Sequence, residues 1–234
     1  DRVIPGGAHT YSRGRDQFPS NAPSVLVRGE GAYVWGTDGK KFLDYGMGLR
    51  SVTLGYAHPK VNKFAAHCMD LGNNLTLPSM IELEAAELFC ATIPSAQMVK
   101  FAKHGSSVTS AAVRLARAFT GRQIVCIPNQ QPFFSFDDWF IGSTVMNRGV
   151  PPPFADMTLK FEFGNLDSLQ GLFALHGNNI AAVIMEPSTT LTPCPNECNQ
   201  TLTSVASCKT CPLQRNNFLR RVKQLCAENG TLLI

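Results

Sequence analysis

The chain has 234 residues, 44% of them hydrophobic, enough to bury one large core or two modest ones. Its 21 basic and 17 acidic residues give a formal charge of +4 that is spread along the chain. Without the clustered basic stripe of a nucleic-acid surface, no nucleic-acid partner is expected. No run of about 18 apolar residues occurs, and the opening DRVIPGGAHT lacks the layout of a secretion signal, so neither a membrane span nor export is expected.

In chain order, the first predicted element is a hairpin in GAYVWGTDGKKFLDY, where two β-rich runs flank Asp38 and Gly39. LPSMIELEAAELFCATIP follows as a helix. Ser79 and Glu82 form a capping-box pattern, Leu83, Ala86 and Phe89 repeat at helical spacing, and Pro94 lies past the end. The pattern then alternates: QMVKFA as a strand, 107–119 as a helix, QIVCI and IAAVIM as strands, 216–228 as a helix ended by Gly230, and TLLI as a strand. Short apolar strands without polar alternation, separated by amphipathic helices, predict an α/β fold with a mainly parallel sheet covered on both faces. Between them, FFSFDDWFIGSTVMNRGVPPPFADM reads as a structured loop that carries function.

Cys68, Cys90, Cys126 and Cys226 are scattered through apolar segments and read as buried thiols of a reducing, cytoplasmic setting. The sequons at Asn74, Asn199 and Asn229 are short matches that chance supplies and do not argue for secretion. Cys194, Cys198, Cys208 and Cys211 crowd one stretch in the form C-x3-C-x9-C-x2-C. Four thiolates at this spacing suit one structural zinc; an iron–sulfur cluster, two local disulfides and reduced surface thiols are the other readings. The start at Asp1 rather than Met, and the strand-like NGTLLI at the other end, give the expectation of a piece of a longer protein.

KHGSSVTSAAVRLARAFTGR is the stretch with the clearest chemistry. Val108, Ala111, Ala112, Leu115 and Phe119 share one face of its helix, which is expected to turn toward the sheet. The first turn of any helix leaves backbone N–H groups without intrahelical partners, Gly105 permits close approach, and Ser106 and Ser107 add hydroxyl donors. Such a start either holds a phosphate or is an ordinary Ser-capped helix after a glycine turn.

VIPGGAHTYSRG, GAYVWGTDGKKFLDYGMGLRSVTLGYAHPKV, KHGSSVTSAAVRLARAFTGR, DDWFIGS and IAAVIMEP occur in that order. Together they resemble the class III aminotransferases that depend on pyridoxal phosphate (PLP), nearest the glutamate-1-semialdehyde aminomutase-like branch. The resemblance implies a fold-type-I PLP domain, with residues 1–50 an amino-terminal segment of a smaller lobe. Residues 51–234 would begin the large PLP-binding domain, with a Cys-rich insertion at 192–212. The family's Ser-Gly-Thr phosphate turn corresponds to His104, Gly105 and Ser106, with Ser107 following. Its aromatic-His-Gly triplet, whose aromatic ring lies over the pyridine, corresponds to Phe133, Phe134 and Ser135, so the His is lost; core packing is the other reading of these phenylalanines.

Glu186, at a strand end before Pro, faces the cofactor cavity in this resemblance or else caps the next loop. Arg13 matches a family arginine that reaches a substrate carboxylate, and Arg50 in GMGLRS offers a second fork for a carboxylate or phosphate; either can instead be a solvated surface arginine. The family's pyridine-binding Asp and Schiff-base Lys would both lie beyond Ile234, so no catalytic residue is assigned within the chain.

The implied activity moves an amino group from an amino-acid donor to a keto or aldehyde acceptor in a homodimer. GMGLRSVTLG and DDWFIGST resemble aminotransferases of sugar and cell-surface polysaccharide pathways, which points to a keto-sugar acceptor. The alternatives are glutamate-1-semialdehyde 2,1-aminomutase and a non-catalytic truncated relative.

Overall fold

In the computed structural model, which describes residues 2–189, 191, 193, 194 and 217–234, the chain divides into two units, Asp1–Ser95 and Ala96–Ile234. The first unit carries a three-stranded antiparallel sheet of β1 (Leu26–Glu30), β2 (Tyr33–Gly36) and β3 (Lys41–Leu43), in that spatial order. The expected hairpin is β2–β3. Gly39 takes a positive φ of 76° and its amide donates to the Gly36 carbonyl at 3.0 Å, while the Asp38 carboxylate accepts from the Lys40 amide at 3.1 Å. β1 is an addition to the sequence reading. Its Gly29 leaves room for the Tyr56 ring, which a side chain at that position would strike at 2.6 Å.

Helix α1 (Pro59–Asp70) opens on a proline, whose missing N–H costs nothing in the first turn. Helix α2 (Met80–Thr92) has the expected capping box, with the Ser79 amide donating to the Glu82 carboxylate at 2.9 Å. Between the hairpin and α1, Met47, Gly48, Leu49 and Arg50 all have positive φ and form one left-handed turn. Three of these residues carry a Cβ, so the turn costs energy that its surroundings must offset. The Asp44 carboxylate does part of this, accepting from the Gly46 amide at 2.8 Å and from the Tyr56 hydroxyl at 2.5 Å. The Tyr56 hydroxyl, followed by the amides of Gly46, Gly48 and Met47, holds the Asp44 carboxyl below the ordinary carboxylate range.

The second unit is the α/β body. Its four strands, β4 (Ile124–Pro128), β5 (Thr158–Phe161), β6 (Ile180–Val183) and β7 (Leu232–Leu233), are all parallel in the order β5-β4-β6-β7. Helix α3 (Gly105–Thr120) precedes β4; α4 (Asp138–Ile141) and α5 (Pro152–Asp156) lie between β4 and β5; α6 (Leu166–His176) and α7 (Phe218–Glu228) precede β6 and β7. β4 is buried along its whole length and its residues alternate between two cores. Ile124 and Cys126 join Phe161, Leu169, Phe173, Val222 and Cys226 on the face covered by α6 and α7. Val125 and Ile127 join Val113, Phe134, Trp139, Phe140 and Ile184 on the face covered by α3 and the aromatic loop. This two-sided burial is why the strands read as continuous apolar runs.

One predicted strand is not formed. QMVKFA, 97–102, has no strand assignment, and among the described residues no strand pairs with it. Met98 and Phe101 are exposed. β-propensity alone does not make a strand where no neighbour supplies a hydrogen-bond ladder. Among the described residues no helix is long and apolar enough to cross a membrane.

Candidate functional site

The start of α3 stands beside the loop that leaves β4. His104 is the N-cap: its carbonyl accepts from the Ser107 amide at 3.1 Å and its Nδ1 lies 3.3 Å from the same amide. Ser107 is thereby turned toward His104, its hydroxyl 3.2 Å from Nε2. Gly105 and Ser106 come before the first intrahelical bond, so their amides point out of the helix start. A Cβ added to Gly105 would meet nothing within 4 Å, which leaves an open approach to this backbone. Ser106 is buried at 7% exposure, and its Oγ accepts from the Phe136 amide at 3.2 Å. A hydroxyl has one hydrogen and two lone pairs, so accepting leaves the Ser106 hydrogen free to donate. Two outward amides, one hydroxyl donor and open space beside a glycine fit a phosphate group.

The aromatic loop sorts the two phenylalanines. Phe134 is packed into the α3-side core, with its ring edge-on to Phe140 at 5.7 Å. An apolar ring suits this apolar setting. Phe133 is 55% exposed and only leans on Phe140, so of the two it is the ring a ligand can reach. A third ring, Phe136, lies 5.2 Å from the His104 ring and is also exposed.

Glu186 follows β6 on the same side of the sheet. Its amide donates to Gln131 Oε1 at 2.8 Å and its carbonyl accepts from Gln131 Nε2 at 2.8 Å. The Gln131 side chain, 4% exposed, thus continues the β4–β6 pairing with a carboxamide in place of a strand and fixes where Glu186 emerges. The second unit therefore brings together Gly105, Ser106, Ser107, Phe133 and Phe134 around the start of α3, with Glu186 tied to the loop after β4.

Arg13 and Arg50 belong to the first unit, and both are exposed. Arg13 ends a short turn, Tyr11–Arg13, and its charge acts on Tyr56, the residue whose hydroxyl binds Asp44. Arg50 ends the left-handed turn that Asp44 holds. Of the cysteine quartet, Cys198, Cys208 and Cys211 lie outside the described residues. Cys194 is half-buried, with the Asn217 side-chain amide 4.0 Å from its sulfur.

Sequence reasoning missed Gln131, Ser110, Asp137 and Trp139. A signal was present for one of them: Ser106, Thr109 and Ser110 fall at i, i+3 and i+4, a polar edge on a helix whose opposite face is apolar. It is this edge, continued by Val113 and Ala116, that packs against the core, whereas Val108, Leu115 and Phe119 of the face expected to meet the sheet are exposed. Polar side chains aligned toward a core need partners, and the loop supplies them.

The parallel sheet covered on both faces, with a Gly-Ser helix start at its carboxyl edge, has the fold of the type-I PLP enzymes. The family profile Aminotransferase class-III matches residues 16–192, and the chain belongs to that family. A glutamate-1-semialdehyde 2,1-aminomutase of Chloroflexus aggregans is 31% identical over 99% of the chain and 51% of its own length. The protein of the same name from Chloroflexus aurantiacus is 36% identical over 79% of the chain and 43% of its own length. Among solved structures, the FumI protein of Sphingopyxis sp. MTA144, in its PLP internal aldimine form, superposes with a TM-score of 0.79 at 28% identity, covering 99% of this chain and 51% of that one. The chain spans about half the length of the relatives it matches.

Proposed function

We propose that the full-length protein carrying this chain is a PLP-dependent aminotransferase that moves an amino group from an amino-acid donor to a keto or aldehyde acceptor, with a keto-sugar as the first acceptor to test. The observation that carries this reading is the first turn of α3, where Gly105 leaves open space and the buried Ser106 keeps its hydroxyl hydrogen free. In this reading the amides of Gly105 and Ser106 and the Ser106 hydroxyl hold the cofactor phosphate, and Ser107 steadies the turn through His104. The exposed ring of Phe133 covers the pyridine, Phe134 supports it from the core, and Glu186 lines the cavity from the end of β6. Arg13 and Arg50 receive the anionic end of a substrate.

When bound, PLP supplies an electron sink for the Cα of the amino acid. The reading also requires an acid for the pyridine nitrogen and a lysine for the aldehyde, and neither is assigned to a residue of this chain. A homodimer, a small lobe begun by residues 1–50 and a large domain begun by residues 51–234 belong to the same proposal. A reducing, cytoplasmic setting goes with it, in keeping with the buried thiols of Cys126 and Cys226; Cys68 and Cys90, also expected to be buried, are only half-buried. A structural zinc on Cys194, Cys198, Cys208 and Cys211 is proposed from their spacing alone, and predicts one zinc per chain in the purified full-length protein. Metal content far below one per chain would remove it.

Glutamate-1-semialdehyde 2,1-aminomutase is the second reading, favoured by the names of the relatives at 31% and 36% identity. The replacement of the family's His by Phe134 favours the third, a relative that binds but does not catalyse. One assay separates them. With an amino-acid donor and a panel of keto-sugars, an aminotransferase releases one keto acid per amine formed. An aminomutase converts glutamate 1-semialdehyde with no net donor consumed, and a non-catalytic relative does neither.

A further inference from the structure

We propose that Ser110 is the positioning residue that fixes the Phe133–Phe136 loop across the first turn of α3 and so sets the geometry of the phosphate end of the cofactor site; this rests on the PLP reading above. Ser110 sits one turn beyond Ser106, away from the outward amides, and touches three loop groups. Its Oγ accepts from the Trp139 indole N–H at 2.8 Å, lies 3.0 Å from Ser135 Oγ, and donates to the Asp137 carboxylate in a close contact. Ser135 is fully buried, and its own Oγ accepts from the Asp137 amide at 3.1 Å.

Only one proton arrangement satisfies all of these groups. A hydroxyl offers one hydrogen and two lone pairs. Ser110 gives its hydrogen to Asp137 and accepts from Trp139 and from the Ser135 hydroxyl; Ser135 gives its hydrogen to Ser110 and accepts from Asp137 N. Both hydrogens and three of the four lone pairs of the two serines are then used, and a network satisfied in this way selects one loop conformation.

The same loop is fastened at two further points. Thr109 Oγ1 donates to the Phe134 carbonyl at 2.8 Å, and the Phe136 amide donates to Ser106 Oγ at 3.2 Å. Ser106 is the group that faces the phosphate, and the Phe136 bond sets which way its hydrogen points. Without Ser110 the loop is held across α3 by these two bonds alone, which loosens the setting of both the Ser106 hydroxyl and the Phe133 ring, although Ser110 itself touches neither phosphate nor pyridine.

The test uses the full-length protein, with PLP affinity measured by fluorescence titration and the visible circular dichroism of bound PLP recorded per cofactor. Ser110→Ala is expected to bind PLP about tenfold more weakly, the scale of one lost charge-assisted hydrogen bond, and to give a smaller dichroic band. Ser110→Thr, which keeps the hydroxyl, is expected to restore both. Thr120→Ala removes a hydroxyl bonded to the Ala116 carbonyl at 2.8 Å at the far end of α3, and is expected to lower the melting temperature without changing PLP affinity. Wild-type affinity and dichroism in Ser110→Ala, with only stability reduced, would overturn the proposal. If Ser110→Ala does not fold, Asp137→Asn replaces it with the same tenfold expectation, and wild-type affinity there is equally fatal. A wild-type protein that binds no PLP defeats the cofactor reading itself and takes this inference with it.

Discussion

Replacing Gln131 tests how the sheet presents Glu186. The Gln131 carboxamide makes two hydrogen bonds of 2.8 Å to the Glu186 backbone from a side chain only 4% exposed. Each such bond contributes roughly 1 kcal/mol net, and a backbone group left without a partner costs about 1–3 kcal/mol when water cannot reach it. Glu186 is half-buried, so water recovers part of the loss, and Gln131→Leu is expected to cost about 3 kcal/mol. Gln131→Glu is the sharper variant. Its protonated carboxyl can reproduce both bonds, whereas its carboxylate can accept from the Glu186 amide but faces the Glu186 carbonyl with a lone pair. The introduced carboxyl therefore has a raised pKa in the folded state. Its stability contribution is complete below the unfolded value of about 4.3 and is lost as pH rises through the folded one. Urea titrations from pH 4 to 8, with hydrogen exchange followed at the Glu186 amide, read both effects. A change under about 0.5 kcal/mol in Gln131→Leu, with Glu186 amide protection intact, would refute the reasoning.

Gly105→Ala is expected to leave stability almost unchanged, since the added Cβ meets no protein atom within 4 Å, yet to weaken PLP binding at least tenfold by filling the phosphate approach; titration of the full-length protein checks it. Arg122 donates from one guanidinium nitrogen to the carbonyls of Ile180 at 3.1 Å and Asn229 at 2.8 Å and to Thr231 Oγ1 at 3.2 Å. Because the Ile180 carbonyl also accepts from Thr231 Oγ1, Arg122→Met is expected to cost about 2 kcal/mol rather than three full bonds, as measured by denaturant midpoint. Burial pushes the Cys126 and Cys226 thiols up to about 12, so the folded state holds these protons longer than the unfolded chain. Stability is then expected to fall as pH rises above about 9, and both thiols should resist a thiol reagent at pH 8 until the protein is unfolded.

The parallel strands and their flanking helices were legible because burial on both faces leaves a simple mark, a short run such as IVCI with no polar alternation. The capping box of α2 was legible because Ser79 and Glu82 act locally. QMVKFA misled because a strand depends on a neighbour that the local sequence does not name. At the site, Gly105 and Ser106 stood out through the chemistry of a helix start, which is also local. Gln131, Asp137 and Trp139 did not, since the partners that give them their roles lie 55, 27 and 29 residues away. Phe133 and Phe134 are adjacent and identical in type, and only packing sends one into the core and leaves the other open.

The most direct test of the central claim is an absorbance titration of the purified full-length protein with PLP, followed by addition of glutamate. A visible band that survives removal of free cofactor, and that glutamate bleaches with release of one 2-oxoglutarate per bound PLP, is the predicted result. Cofactor that washes away, or a retained band that no amino acid alters, would contradict the assignment of amino-group transfer.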